Sequence, residues 1–182
     1  MNDASNASSG SKGQGLSVVY TTEDIAGRVQ QLGIQIAADF PNGNIACVGV
    51  LPNSMVFMAD LIRAINRPLT CDFLKVGTED SKRVDVAFGQ PNDFSARDVL
   101  LIQGVVDTGI TLSFITGHIE ETWKPRTLKV AALINRENHR KVDCPVDYTC
   151  FELSKEGFVA GYGLGFREQH RGAPFLGLAE AS

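Results

Sequence analysis

Residues 99 to 112 read Val99-Leu100-Leu101-Ile102-Gln103-Gly104-Val105-Val106-Asp107-Thr108-Gly109-Ile110-Thr111-Leu112, and the hydrophobic period changes inside that stretch. Val99 to Ile102 are four consecutive apolar residues, the pattern of a parallel strand covered on both faces. Beyond the break, Ile110, Phe114, Ile115 and Ile119 recur at helical spacing, which predicts a helix starting near Thr108 and running to Trp123. The linking residues, Asp107 to Thr111, combine a glycine, two hydroxyls and the free amides of a helix start. That combination cradles a phosphate. A second reading stays open, in which Asp107 and Thr108 are simple N-caps after a strand. Asp107 is the odd member of a phosphate loop, because a carboxylate repels a phosphate unless it faces another part of the ligand.

Outward from this junction, strands and helices alternate. Thr22-Glu23-Asp24 predicts a helix cap, with Ile25, Val29, Leu32 and Ile36 on one face and Pro41-Asn42-Gly43 after it. Ile45 to Leu51 reads as a buried strand, and a helix through Met55, Met58, Leu61 and Ile65 is stopped by Pro68. Further strands are expected at residues 70–76, 84–88 and 127–134, with short strands and loops after Lys141. This order predicts an α/β fold, a mostly parallel twisted sheet flanked by helices on both faces. Ligands in such sheets collect at the carboxyl ends of the strands, where Leu51 to Ser54 and Asp107 to Thr111 both fall.

With 182 residues, 43% of them hydrophobic, the chain suffices for one sizeable core and is short for two domains. Residues 1–16 are rich in Ser, Asn, Gly and Ala and are expected to be a disordered tail, leaving 17–182 as one domain. A net charge of −4 argues against nucleic acid as a partner, since phosphate-backbone binding needs clustered Lys and Arg. The basic run Arg136 to Lys141 reads as a solvated loop. Cys47, Cys71, Cys144 and Cys150 have no metal-ligand spacing, and His118, His139 and His170 are scattered, so reduced thiols and no zinc site are expected. No apolar run reaches membrane-span length, which predicts a cytoplasmic protein without a membrane partner.

The loop at 107–111 resembles the phosphoribosyl diphosphate (PRPP) signature of type I phosphoribosyltransferases, and residues 18 to 179 are similar to the hypoxanthine-guanine branch of that family. Val48-Gly49-Val50-Leu51 and the following Met55 to Leu61 resemble the pyrophosphate loop and its helix. Asp72-Phe73-Leu74 resembles the strand entering the mobile flap. Val142 to Tyr148, Phe158 to Leu164 and Arg171 resemble the purine-binding hood, at about 142–182 with an N-terminal contribution. The resemblance implies the type I phosphoribosyltransferase fold and a glycosyltransferase of purine salvage, moving phosphoribosyl from PRPP to hypoxanthine or guanine to give a nucleoside monophosphate and pyrophosphate. It also implies Mg2+ if the site is active, and a homo-oligomer, dimer or tetramer. By the same resemblance Asp107 is the general base, and Thr108, Gly109, Ile110 and Thr111 hold the 5′-phosphate. Arg136, Phe158 and Val159 take the purine, while Leu51, Pro52, Asn53 and Arg171 take pyrophosphate.

Several positions depart from the family pattern. Gln103 and Gly104 stand where an acidic pair is usual, Pro52-Asn53 where Lys-Gly is usual, and Gly165 where an Asp supports a second metal, so no residue is assigned to metal. The flap sequence, Val76-Gly77-Thr78-Glu79-Asp80-Ser81, lacks an aromatic. Two readings follow: a purine phosphoribosyltransferase with an altered site, or a non-catalytic relative that binds a purine nucleotide as a sensor or partner subunit. Retained Asp107 favours the first, and the missing acids favour the second.

Overall fold

Strand β5 (Asp98–Val106) is the centre of the sheet and explains why its sequence shows no alternation. It lies parallel to β2 (Ile45–Leu51) on one side and to β6 (Thr127–Asn135) on the other, with Leu100 opposite Cys47 and Ile102 opposite Ala131. Every residue from Asp98 to Gly104 is buried. A strand with helices on both faces has no polar side to alternate with. In the computed structural model, which describes residues 16–41, 44–79, 83–88, 94–165 and 169–179, the sheet continues through β3 (Leu69–Glu79), β4 (Arg83–Phe88) and β7 (Tyr148–Glu152). The order is β4-β3-β2-β5-β6-β7, and only β4 runs antiparallel to its neighbour.

Two helices cover one face and one covers the other. Helices α1 (Thr22–Asp39) and α2 (Met55–Ile65) pack with Ile45, Cys47, Leu100 and Ile102, whereas α3 (Ile110–Trp123) packs with Ala46, Val48, Val99 and Leu101. The cap of α1 is Thr21, one residue before the expected Thr22. Thr21 accepts from the Asp24 amide at 3.2 Å while Asp24 accepts from the Thr21 amide at 3.0 Å, a reciprocal capping box. α3 is rotated from its expected stripe. Leu112, Ile115 and Ile119 are buried, while Ile110 and Phe114 are 51% and 46% exposed. At about 100° per residue, positions 112, 115 and 119 share one face and 110 and 114 lie opposite, so the apolar count misassigned the face.

The hood differs from its expected extent. β7 is an edge strand of the main sheet, so residues 148–152 belong there. The hood sheet consists of β1 (Leu16–Tyr20), β9 (Leu176–Ala179) and β8 (Phe158–Ala160), in the order β1-β9-β8 and antiparallel throughout. Leu16 was placed in the tail by composition, but it pairs with Ala179 and is 4% exposed; residues 1–15 lie outside the described residues. Tyr20 ties the two sheets together, stacking on Phe151 at 3.9 Å and donating to the Glu152 carbonyl at 3.0 Å.

α1 and α2 cross at Gly33, where an added Cβ would sit 2.5 Å from Ala64 Cβ and 2.6 Å from its carbonyl carbon. Helix propensity alone favours alanine there by about 1 kcal/mol, yet overpacking against backbone costs about 1–3 kcal/mol. Gly33→Ala is therefore expected to lower the urea midpoint; a raised midpoint would show that the crossing relaxes freely.

Candidate functional site

β2 and β5 both end at a cavity of about 300 Å³. Leu51, Pro52 and Asn53 form one wall, and Gln103, Gly104 and the turn from Asp107 to Gly109 form another. Two of the expected clusters, the pyrophosphate loop and the phosphate loop, thus meet across one opening. The Leu51–Pro52 peptide is cis.

The expected phosphate loop, Asp107 to Thr111, is built around Gly109. It is the N-cap of α3, at φ +82°, and a Cβ there would sit 2.6 Å from Cys144 Sγ and 2.7 Å from the Val142 carbonyl oxygen. Glycine is required on both counts. The Thr108 carbonyl accepts from the amides of Lys141 at 2.9 Å and Val142 at 3.3 Å, which fixes the turn against the following loop. No side chain caps α3. The capping alternative for Asp107 and Thr108 is thereby overturned, and among the described hydrogen bonds none is donated by the amides of residues 108–111. First-turn amides have no intrahelical acceptor, so they remain available to an anion. Thr111 lines the same cavity, whereas Ile110 does not and turns its side chain outward.

Asp107 is half-exposed and directed at a residue that sequence reasoning passed over. Its Oδ1 lies 2.7 Å from His139 Nδ1, and His139 Nε2 lies 3.2 Å from Glu156 Oε1. Nothing in the spacing of 32 residues between Asp107 and His139 signals this contact.

The expected purine residues are less uniform. Phe158 is 58% exposed on β8, unlike a core aromatic, with Val159 half-buried beside it. Arg136 is 7% exposed, and its Nη2 donates to the carbonyls of Lys155 and, at 2.9 Å, Gly157. The structure therefore uses Arg136 to hold the loop before β8, and its buried Nε has no partner. Arg140 also turns inward, donating to Asn135 Oδ1 and, at 3.2 Å, to Cys144 Sγ. The arginines of the basic run are not solvated charges, because the turn after β6 buries Arg136 against backbone carbonyls and half-buries Arg140 against Asn135 and Cys144. All four cysteines are free, and burial pushes the thiols of Cys47 and Cys150 up to about 12, far from a reactive thiolate.

The departures from the family pattern form one packed cluster. A Cβ on Gly104 would lie 2.5 Å from the Asn53 carbonyl oxygen and 2.8 Å from Leu164 Cδ2. A Cβ on Gly165 would lie 2.6 Å from Arg171 Nη2. Arg171 in turn donates to Asn53 Oδ1 at 2.8 Å and to the Gly163 carbonyl at 2.6 Å. Gln103 is 7% exposed and its buried Nε2 lacks an acceptor. An amide and a guanidinium occupy the places where a divalent cation needs carboxylate oxygens, so these residues do not fit Mg2+. Among the described residues no group of three or more His, Cys, Asp or Glu is arranged to hold a metal. The flap residues 80–81 lie outside the described residues, as do the side chains of 77–79.

Restoring an acid at Gly104 is accordingly expected to damage the fold before it improves the chemistry. Gly104→Asp is predicted to lower the denaturant midpoint by about 1–3 kcal/mol of stability, while the near-isosteric Gln103→Glu keeps its shape. Equal midpoints for Gly104→Asp and the parent chain would show that the Asn53 backbone yields.

Comparison with known proteins agrees with this geometry. The family model for the phosphoribosyl transferase domain matches residues 16–167. Hypoxanthine-guanine phosphoribosyltransferase of Staphylococcus aureus strain Mu50 is 35% identical over 165 residues, covering 88% of this chain and 91% of that protein. The enzyme of the same name from Staphylococcus epidermidis RP62A is 35% identical over 169 residues, covering 90% and 93%. Among solved structures, a hypoxanthine-guanine phosphoribosyltransferase from Bacillus anthracis, with a HEPES molecule in its active site, superposes with a TM-score of 0.84 at 30% identity, covering 91% of this chain and 97% of that one. With its helix-flanked sheet, its hood and its glycine-capped α3, the chain belongs to the phosphoribosyl transferase domain family, in the hypoxanthine-guanine branch.

Proposed function

We infer that this chain forms a purine nucleoside monophosphate from PRPP and hypoxanthine or guanine. The observation that carries the reading is the start of α3, where unpaired amides and Gly109 face the cavity and Asp107 is left uncapping. A purine ring nitrogen attacks C1 of PRPP, the bond from C1 to the diphosphate oxygen breaks, and pyrophosphate departs. Asp107 is the acceptor for the purine N7 proton, a role that suits a half-exposed carboxylate at the cavity rim. Thr108, Gly109, Ile110 and Thr111 hold the 5′-phosphate through backbone N–H and hydroxyl groups. Phe158 stacks on the base, Val159 meets its edge, and Arg136 supports the loop carrying both. Leu51, Pro52, Asn53 and Arg171 border the pyrophosphate. Members of the family generally work with Mg2+, and among the described residues of this site no carboxylate group is arranged to receive it.

A second reading has its own support, the Asn53–Arg171 hydrogen bond across the diphosphate side of the cavity. It would leave a non-catalytic relative that binds the nucleotide through the 5′-phosphate loop, as a sensor or partner subunit. In either case the working unit is residues 16–182 with its hood, and the free cysteines support a cytoplasmic setting. No helix among the described residues is long and apolar enough to cross a membrane. Exposed Met55 and Phe73 support a homo-oligomer, dimer or tetramer.

Incubation with Mg2+, PRPP and hypoxanthine or guanine separates the two readings. Nucleotide formation is expected to fall by about 10²–10⁴-fold in Asp107→Asn, the usual weight of a positioned base. Rates equal to that variant, together with calorimetric heat from inosine 5′-monophosphate, would replace the enzyme by the binding protein. Absence of both would reject the two readings together.

A further inference from the structure

The turn after β6 does more than close a loop. Arg136 holds the carbonyls of Lys155 and Gly157, and Asn138 donates to the Ser154 carbonyl at 3.3 Å, so residues 136–138 grip the segment leading to Phe158. His139 completes the turn and reaches in two directions. Its Nδ1 meets Asp107 of the phosphate loop at 2.7 Å, and its Nε2 meets Glu156 of the hood segment at 3.2 Å. An ionised carboxylate only accepts hydrogen bonds. Both ring nitrogens must therefore donate, a requirement met by the imidazolium and by neither neutral tautomer.

We propose that His139, as the imidazolium, is a positioning residue that fixes the Asp107 carboxylate, offsets its charge beside the ligand's 5′-phosphate, and couples it through Glu156 to the hood. The proposal rests on the nucleotide reading above and holds for either version of it. It also accounts for a carboxylate inside an anion loop, since a cation at 2.7 Å removes most of the repulsion that Asp107 alone would exert. The titratable groups facing His139 are Asp107, from the turn after β5, and Glu156, from the segment before β8. On its own segment Glu137 and Lys141 are exposed, while Arg136 and Arg140 direct their guanidinium groups at carbonyl, amide and thiol partners. The sign follows directly. A phosphate dianion favours the cationic ring, so the ring's contribution to affinity is present where it carries its proton and is lost where it does not.

Titration calorimetry of the full chain with inosine 5′-monophosphate, from pH 5.5 to 8.5 and in buffers of different ionisation enthalpy, tests this role. The second ionisation of the phosphate changes affinity in the opposite sense, but it is common to every variant and cancels in ratios. Wild type is expected to bind at least about fivefold more tightly than His139→Gln at the acid end, with the ratio closing towards one at the alkaline end. His139→Arg, which stays cationic, should keep a pH-independent advantage over His139→Gln. Proton uptake on binding should be present in wild type, displaced to lower pH in Glu156→Gln and absent in His139→Gln. A ratio flat across pH, or uptake unchanged in His139→Gln, overturns the role of His139 while leaving nucleotide binding intact. No heat from wild type at any pH overturns the nucleotide reading and this role with it. Glu156 is 85% exposed, so its variant supplies the uptake comparison even if substitutions at His139 disturb folding.

Discussion

The close approach of the 142–144 loop to Gly109 is the constraint on which the rest depends. Cys144 Sγ and the Val142 carbonyl leave no room for a Cβ, and the positive φ holds the chain in a conformation that other residues adopt only with strain. With glycine as the N-cap there is no side chain to satisfy the first-turn amides of α3. Burial of Leu112, Ile115 and Ile119 against β2, β5 and β6 anchors the helix, each such side chain contributing about 1.5–3 kcal/mol, and that anchorage offsets the missing cap. The packing of α3 thus maintains an unsatisfied N-terminus at the cavity. An anion supplied by a ligand is the natural acceptor for it.

A second consequence concerns the positions that depart from the family pattern. Read one at a time they are lost charges: Gly104 and Gly165 lack carboxylates, and Pro52 lacks a cation. In three dimensions they are also exchanged volumes. The Asn53 carbonyl enters the space a side chain at 104 would need, the Arg171 guanidinium enters the space at 165, and Asn53 and Arg171 bond to each other. Reverting any one position meets the others, so their energetic effects are not additive. This interlock distinguishes a rebuilt subsite from an eroded one. Erosion leaves voids, whereas here the vacated space is packed by polar groups with named partners.

The sheet and its flanking helices were readable because period and burial coincide in this fold. Ile45 to Leu51 and Val99 to Ile102 are apolar on both faces, and Pro68 follows the end of α2 closely. Where local pattern and tertiary environment diverge, the reading failed. Ile110 and Phe114 are as apolar as Ile115, and only packing reveals that they face outward. β1 was hidden because its partner, β9, lies at the other end of the chain and its neighbours upstream are Ser- and Gly-rich. For the site, the strand-to-helix turn at Asp107 was legible from residue types alone, since its glycine marks a helix start at positive φ. His139 was not, because a hydrogen bond across 32 residues leaves no periodic trace.

Arg136 shows how a position expected at the purine can be taken up by the scaffold. A lysine there would carry a single point of charge, whereas the guanidinium presents a planar fork. Its Nη2 makes hydrogen bonds to two carbonyls of the hood loop, those of Lys155 and Gly157, yet its Nε is left buried and unpaired. An orphaned buried donor costs about 1–3 kcal/mol, and Gln103 Nε2 carries a comparable cost on the other side of the cavity. Two such costs persist in the chain that also leaves the α3 amides uncapped. Unpaired donors gathered at the carboxyl ends of β5 and β6 mark the place where stability has been given up for recognition of an acceptor-rich ligand, and a purine ribotide carries acceptors at both its phosphate and its base.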